Sequence, residues 1–97
     1  MPYKILPYSI KKANEYNLEL RPSQKKRYKI DVYFMDNYLD SIGQANAGDY
    51  PTYMEYEKNK LVPKGYADER RRLYYIRHPK DYKEFSRDWL SKLLLWS

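Results

Sequence analysis

Tyr28–Phe34 constrains this chain more than any other stretch. Tyr28, Ile30, Val32 and Phe34 alternate there with Lys29, Asp31 and Tyr33. Successive strand side chains point to opposite faces, so a period of two predicts a β-strand with one buried face. Met35-Asp36-Asn37 follows, and Asp and Asn tolerate left-handed backbone, so the chain turns there. Residues 38–42 return as the partner strand, which Gly43 is expected to end. Leu18-Glu19-Leu20-Arg21 alternates too and stops at Pro22, a brief strand before the polar, basic loop 23–27.

The remainder reads as helix. Residues 3–8 are expected to be extended, since Pro7 cannot sit in a central strand. Ser9 is then the expected N-cap of a helix over 10–17, with Ile10, Ala13 and Asn17 or Leu18 as its apolar stripe. Pro51 suits the first turn of a helix over 52–60, capped by Asp49 or Tyr50 and broken at Val62-Pro63-Lys64-Gly65. Tyr66–Arg77 has acids first and bases last, which suits the helix dipole, and Pro79 stops it. A last helix runs from Lys83 or Phe85 to Leu95, with Phe85, Trp89, Leu93 and Trp96 spaced as its apolar stripe. The sum is an α+β fold in a single domain, residues 1–97. A small antiparallel sheet with a β-hairpin lies in the first half. It is packed by an N-terminal helix and two to three C-terminal helices.

Composition narrows function. With no cysteine in 97 residues there is neither a disulfide framework nor a thiolate metal site. The longest purely apolar run is Leu93-Leu94-Leu95-Trp96, against about 20 residues for a membrane span, and the start has no apolar signal core. The expected setting is therefore the cytosol, the nucleus or an assembly built there. Net charge is +6, split as 8 basic against 6 acidic residues over 1–49 and 11 against 7 over 50–97. That balance favours anionic partners. Thirteen tyrosines stand beside two Phe and two Trp. A tyrosine ring buries area but keeps a hydroxyl that needs a partner, the chemistry of interfaces and of base stacking, or of a small wet core.

No catalytic constellation is apparent. His78 is the single histidine, and nothing in the spacing of Asp81 or Ser86 ties either to it. Scattered acids make no metal site, and three glycines make no phosphate loop. Neither cofactor nor small-molecule substrate is expected. The charged patch is Asp68-Glu69-Arg70-Arg71-Arg72 with Arg77 and Lys80. On a helix, Arg70, Leu73, Tyr74 and Arg77 share one face, and Arg71, Tyr75 and His78 an adjacent one. Such a set grips phosphates and stacks bases, forks onto carboxylates of a protein neighbour, or braces its own fold. Lys25, Lys26, Arg27 and Lys29 form a second cluster for anion or nucleic-acid contact, or a solvated edge. The terminal Trp96 is the ring expected to reach a neighbour.

Several segments together carry a resemblance. They are Ile30-Asp31-Val32-Tyr33, Ser41-Ile42-Gly43, Asp49-Tyr50-Pro51-Thr52-Tyr53, Tyr66-Ala67-Asp68-Glu69, the run from Arg70-Arg71 through Tyr74 and Arg77-His78 to Lys80-Asp81, and Leu94-Leu95-Trp96. From about Ser9 to Trp96 the chain resembles a family of small uncharacterised proteins from large nucleocytoplasmic DNA viruses. Members often place a glycine-containing link before the final helix, and residues 82–88 here have none. The resemblance implies a viral protein packaged in the virion, present in host cytoplasm or nucleus during assembly. The expectation is a non-enzymatic minor capsid or structural component. It would bridge other virion proteins, the major capsid protein among the candidates, through Arg70, Arg71, Tyr74, Tyr75, Arg77 and Trp96. The alternative is a small basic nucleic-acid-binding protein.

Overall fold

The computed structural model describes residues 3–97. Helix α1 (Pro7–Asn14) leads into strands β1 (Leu18–Pro22), β2 (Tyr28–Phe34) and β3 (Asn37–Gln44). Helices α2 (Tyr50–Lys58), α3 (Tyr66–Arg77) and α4 (Arg87–Ser91) follow, and a π-helical turn, Lys92–Trp96, continues α4. The sheet is antiparallel in the order β1-β2-β3, so the fold is α+β. No helix among the described residues is long and apolar enough to cross a membrane.

The hairpin forms as the alternation requires. Met35 and Asp36 make a two-residue turn with φ of 49° and 66°, the geometry that matches the twist of the flanking strands. Phe34 then faces Asn37, and Tyr33 faces Tyr38. The register shifts between Val32 and Tyr33, because Val32 faces Asp40 and leaves Leu39 as the extra residue of a bulge. Strand β3 does not end at Gly43 as expected. Gly43 takes φ +73° and lets a Leu95 methyl lie where a side chain would stand, so pairing continues to Tyr28↔Gln44.

Ile30, Val32 and Ile42 are fully buried against Leu90, Leu94 and Leu95, with Ala13 and Leu18 closing the cluster. The expected last helix is therefore corrected in position and in face. It starts at Arg87, capped by the Ser86 hydroxyl, which accepts from Trp89 N–H. Its buried residues are the leucines, and Trp89, Leu93 and Trp96 pack at their margin. The glycine-free link is accommodated by Phe85, held at φ +65°.

The N-terminal helix is also shifted. Pro7 does not extend the chain but opens α1, because the first turn needs no proline N–H. Ser9 is consequently inside the helix, not its cap. Fully buried, it donates its hydroxyl to Leu94 C=O at 2.7 Å, a carbonyl in the π-helical turn. Ile10 faces outward at 44% exposure, so the inward stripe is Ser9 and Ala13.

Asp49 caps α2, accepting from Thr52 N–H at 2.9 Å through one carboxylate oxygen. The other oxygen accepts from the Lys29 ammonium at 2.7 Å and from the Tyr3 hydroxyl at 3.0 Å. Lys29 also donates to Ala47 C=O, and its ammonium lies 5.3 Å from the centre of the Tyr3 ring. Lys29 and Asp49 are both buried. Breaking such a pair from one side strands a charge, which costs about 3–5 kcal/mol. Asp49→Ala is expected to lose that much in urea unfolding. The charge-free double variant Lys29→Met/Asp49→Asn keeps a cap acceptor and is expected to lose less. A double variant weaker than Asp49→Ala would contradict this assignment.

Candidate anion-binding cleft

Tyr28, Gly43 and Gln44 at one end of the sheet face the C-terminal end of α3 and the start of α4 across a cleft of about 660 Å³. Residues 46–48 form one wall, and Leu95 and Trp96 also line it. The volume is within the roughly 300–1,000 Å³ typical of ligand sites. Four cationic side chains line it, Arg27, Lys29, Arg77 and Arg87, with one acid, Asp88. Two of the cations are already matched. Lys29 pairs with Asp49, and Arg87 forks onto Asp40 at 2.9 Å while lying 5.0 Å from the Tyr28 ring centre. Arg27 and Arg77 are exposed and have no ion-pair partner among the described residues. One comes from each basic cluster of the sequence, and the fold brings both to one opening.

An aromatic stack stands behind Arg77. Tyr74 is buried and stacks on Trp96 at 4.7 Å, their planes 5° apart, and on His78 at 4.4 Å. Trp96 in turn meets Tyr53, which packs edge-on against Tyr66. Gly48 exists for this cluster, because a Cβ there would lie 1.8 Å from the Tyr53 hydroxyl oxygen. His78 ends α3, donating its backbone N–H to Tyr74 C=O. Its ring Nδ1 lies 2.8 Å from the Tyr82 hydroxyl. Neither Asp81 nor Ser86 is among its hydrogen-bond partners; Ser86 caps α4 instead.

The expected contact residues of α3 therefore separate. Tyr74 is corrected from an outward anchor to a buried ring stacked on Trp96, whereas Trp96 stays half-buried and lines the cleft. Tyr75 is half-buried, with the Lys92 ammonium 5.0 Å from its ring centre. Arg71 braces the fold. It lies 4.2 Å from the Tyr50 ring centre and 3.6 Å from Asp68, which also accepts from the Tyr50 hydroxyl. Arg72 forks onto Glu69. Arg70 lies 5.9 Å from the Tyr53 ring centre, and its buried Nε has no hydrogen-bond partner. Arg77 alone of the set is both exposed and free.

In the second cluster, Lys29 is corrected from an anion contact to a buried member of the Asp49 pair. Lys25 donates to the Tyr38 hydroxyl at 2.8 Å, which meets Ser41 and through it the buried Asp31. Lys26 and Arg27 remain exposed. Sequence reasoning missed Glu57, whose two oxygens cap α3 from α2 by accepting from Gly65 and Ala67 N–H. It also missed Arg87 and residues 46–48 of the cleft, which no local pattern marks. No group of histidine, aspartate and glutamate among the described residues is placed to hold a metal.

No protein-family model, no curated protein and no solved structure matches the chain.

Burial raises the Tyr74 hydroxyl to about pKa 12. It also raises Tyr3, where the nearby Asp49 charge adds to it. Both must lose a proton more easily when unfolded, near the ordinary tyrosine pKa of about 10. Their contribution to stability is thus complete below about pH 10 and lost as pH rises towards 12. Absorbance at 295 nm should show Tyr3 and Tyr74 ionising late, above pH 10, as the near-ultraviolet dichroism collapses. A single step near pH 10 with the fold intact would contradict the buried assignments.

Proposed function

We propose that this is a non-enzymatic binding protein that holds nucleic acid through the cleft between the sheet end and α3. One observation carries the reading: Arg27 and Arg77, 50 positions apart, line the same opening with no acid of their own. A guanidinium is always charged, and its planar fork matches phosphate oxygens. Gln44 and Asn46 on the wall supply polar groups for base or sugar edges. The aromatic stack holds α3 rigid beneath Arg77, so the fork is presented rather than left to wander. In the viral setting that the sequence resemblance implies, the protein would be a packaged component in contact with the genome.

The bridging reading, a minor capsid protein contacting other virion proteins, loses support on α3, where Tyr74 is buried and Arg71 and Arg72 are matched within the fold. It gains support at the hairpin tip, where large apolar side chains stand in solvent.

Binding to a fluorescent oligonucleotide should fall with salt. For about three phosphates neutralised, log affinity against log salt should have a slope of roughly −2 on a single strand and −3 on a duplex. Arg27→Ala/Arg77→Ala should flatten the slope by more than one unit on either form. Arg72→Ala, whose partner is Glu69, should leave it unchanged. No binding at low salt, or equal loss from Arg72→Ala, would overturn the proposal.

A further inference from the structure

The cleft is one of two recesses that meet at the start of β2. Tyr28 and Lys29 line it, and the same two residues line a second hollow of about 500 Å³. Lys25 and Lys26 belong to the second hollow and Arg27 to the cleft, so three consecutive cations step from one recess to the other. The second hollow has no carboxylate in its lining, and Ser23 and Gln24 add polar groups there. In the cleft, Asp88 is the single acid among four cations. A groove lined by one sign of charge concentrates its field on an incoming anion.

Three of the lining cations are engaged already. Lys29 pairs with Asp49, Arg87 with Asp40, and Lys25 donates to the Tyr38 hydroxyl. Lys26, Arg27 and Arg77 are exposed, and their side chains have neither ion pair nor hydrogen bond among the described residues. The backbone that carries the first two is fixed. Lys25 C=O accepts from Tyr28 N–H at 3.2 Å, and Arg27 C=O from Ala45 N–H at 2.9 Å. Lys25 N–H donates to the Ser23 hydroxyl at 3.1 Å. A loop held this way loses little freedom when it binds.

Half-buried aromatic rings follow the same path: Tyr3 in the second hollow, Tyr28 in both, Trp96 in the cleft. The Arg87 guanidinium lies 5.0 Å from the Tyr28 ring centre, so this ring already takes a planar group against it. Every base has a π-face that can stack on such rings. A duplex keeps its bases paired inside a cylinder, and its groove edges are reached by a helix or β-ribbon that projects. Here the rings and the amides of Gln24, Gln44 and Asn46 line recesses instead. Splayed bases of a single strand can enter a recess; paired bases cannot.

We propose, resting on the nucleic-acid reading of the cleft, that its ligand is a single strand that runs from the cleft across Tyr28 into the second hollow. Arg77, Arg27 and Lys26 hold its phosphates, and Tyr28 stacks a base between the two recesses. A duplex meets the same exposed cations from outside and binds more weakly.

Fluorescence anisotropy at one low salt concentration tests this, with labelled oligothymidylate set against a hairpin duplex of equal phosphate number. The single strand should bind about tenfold tighter, the gain from stacking on one or two rings. Its affinity should climb steeply up to about four nucleotides, the size of a small single-strand site. Lys26→Ala changes an exposed side chain and should flatten the single-strand salt slope by about 0.7. Tyr28→Leu, its fold checked by circular dichroism, should weaken the single strand about fivefold and leave the duplex unchanged. Duplex binding as tight as single-strand binding would overturn the inference and leave the cleft a nucleic-acid site. An unchanged slope in Lys26→Ala would remove the second hollow from the path and overturn it too. Polyglutamate that competes as well as the strand would show that bases play no part. Absence of binding to either form would overturn the inference together with the reading beneath it.

Discussion

A lysine ammonium and an aspartate carboxylate, both buried, meet at 2.7 Å where the sheet gives way to the helices. Lys29 belongs to the central strand and Asp49 to the cap of α2, so one contact ties the sheet to the start of the helical half. Each charge has further partners, Tyr3 and Thr52 for the carboxylate and Ala47 for the ammonium. Those extra bonds matter, because removing two ions from water costs several kcal/mol per ion and attraction alone does not reliably offset it. The pair also holds Ala47 in the wall of the cleft, and so couples a buried ion pair to that opening.

Tyrosine explains how a chain this short supports both. Tyr3, Tyr50 and Tyr74 give ring area to packing, and the hydroxyls of the first two reach carboxylates. Tyr50 and Tyr53 also carry arginines against their faces. The tyrosines thus serve as scaffold for guanidinium groups more than as contact surface. That redistributes the roles within α3: Arg71 and Arg72 brace, Tyr74 stacks, and Arg77 is left to bind.

Elements set by local pattern were legible in the sequence. The Tyr28–Phe34 strand and the Tyr66–Arg77 helix have the bounds that alternation and charge order imply. Asp49 was legible as one of two candidate caps, with Tyr50, because Pro51 follows them, and its carboxylate takes the Thr52 N–H. What was not legible depends on contacts distant in sequence. Lys29 has the same charge as Lys25 and Lys26 and becomes a buried residue only because Asp49, 20 positions on, meets it. Ser9 resembles a cap, but proline two residues earlier starts the helix first, and Leu94, 85 positions away, takes its hydroxyl. Trp96 ends an apolar run that suggests an outward anchor, and Tyr74 claims its face. In the cleft, Arg77 was anticipated and Arg27 was placed in a separate cluster; their convergence is a property of the topology.

The account stands on that convergence, and chemical-shift mapping tests it most directly. With a short oligonucleotide titrated into labelled protein, the amides of Arg27, Asn46 and Arg77 and the Trp96 indole should move together and saturate at one affinity. Lys11, Lys12 and Lys64, equally cationic but remote from the cleft lining, should not follow. Shifts spread over every lysine, or confined to residues outside the cleft, would contradict it.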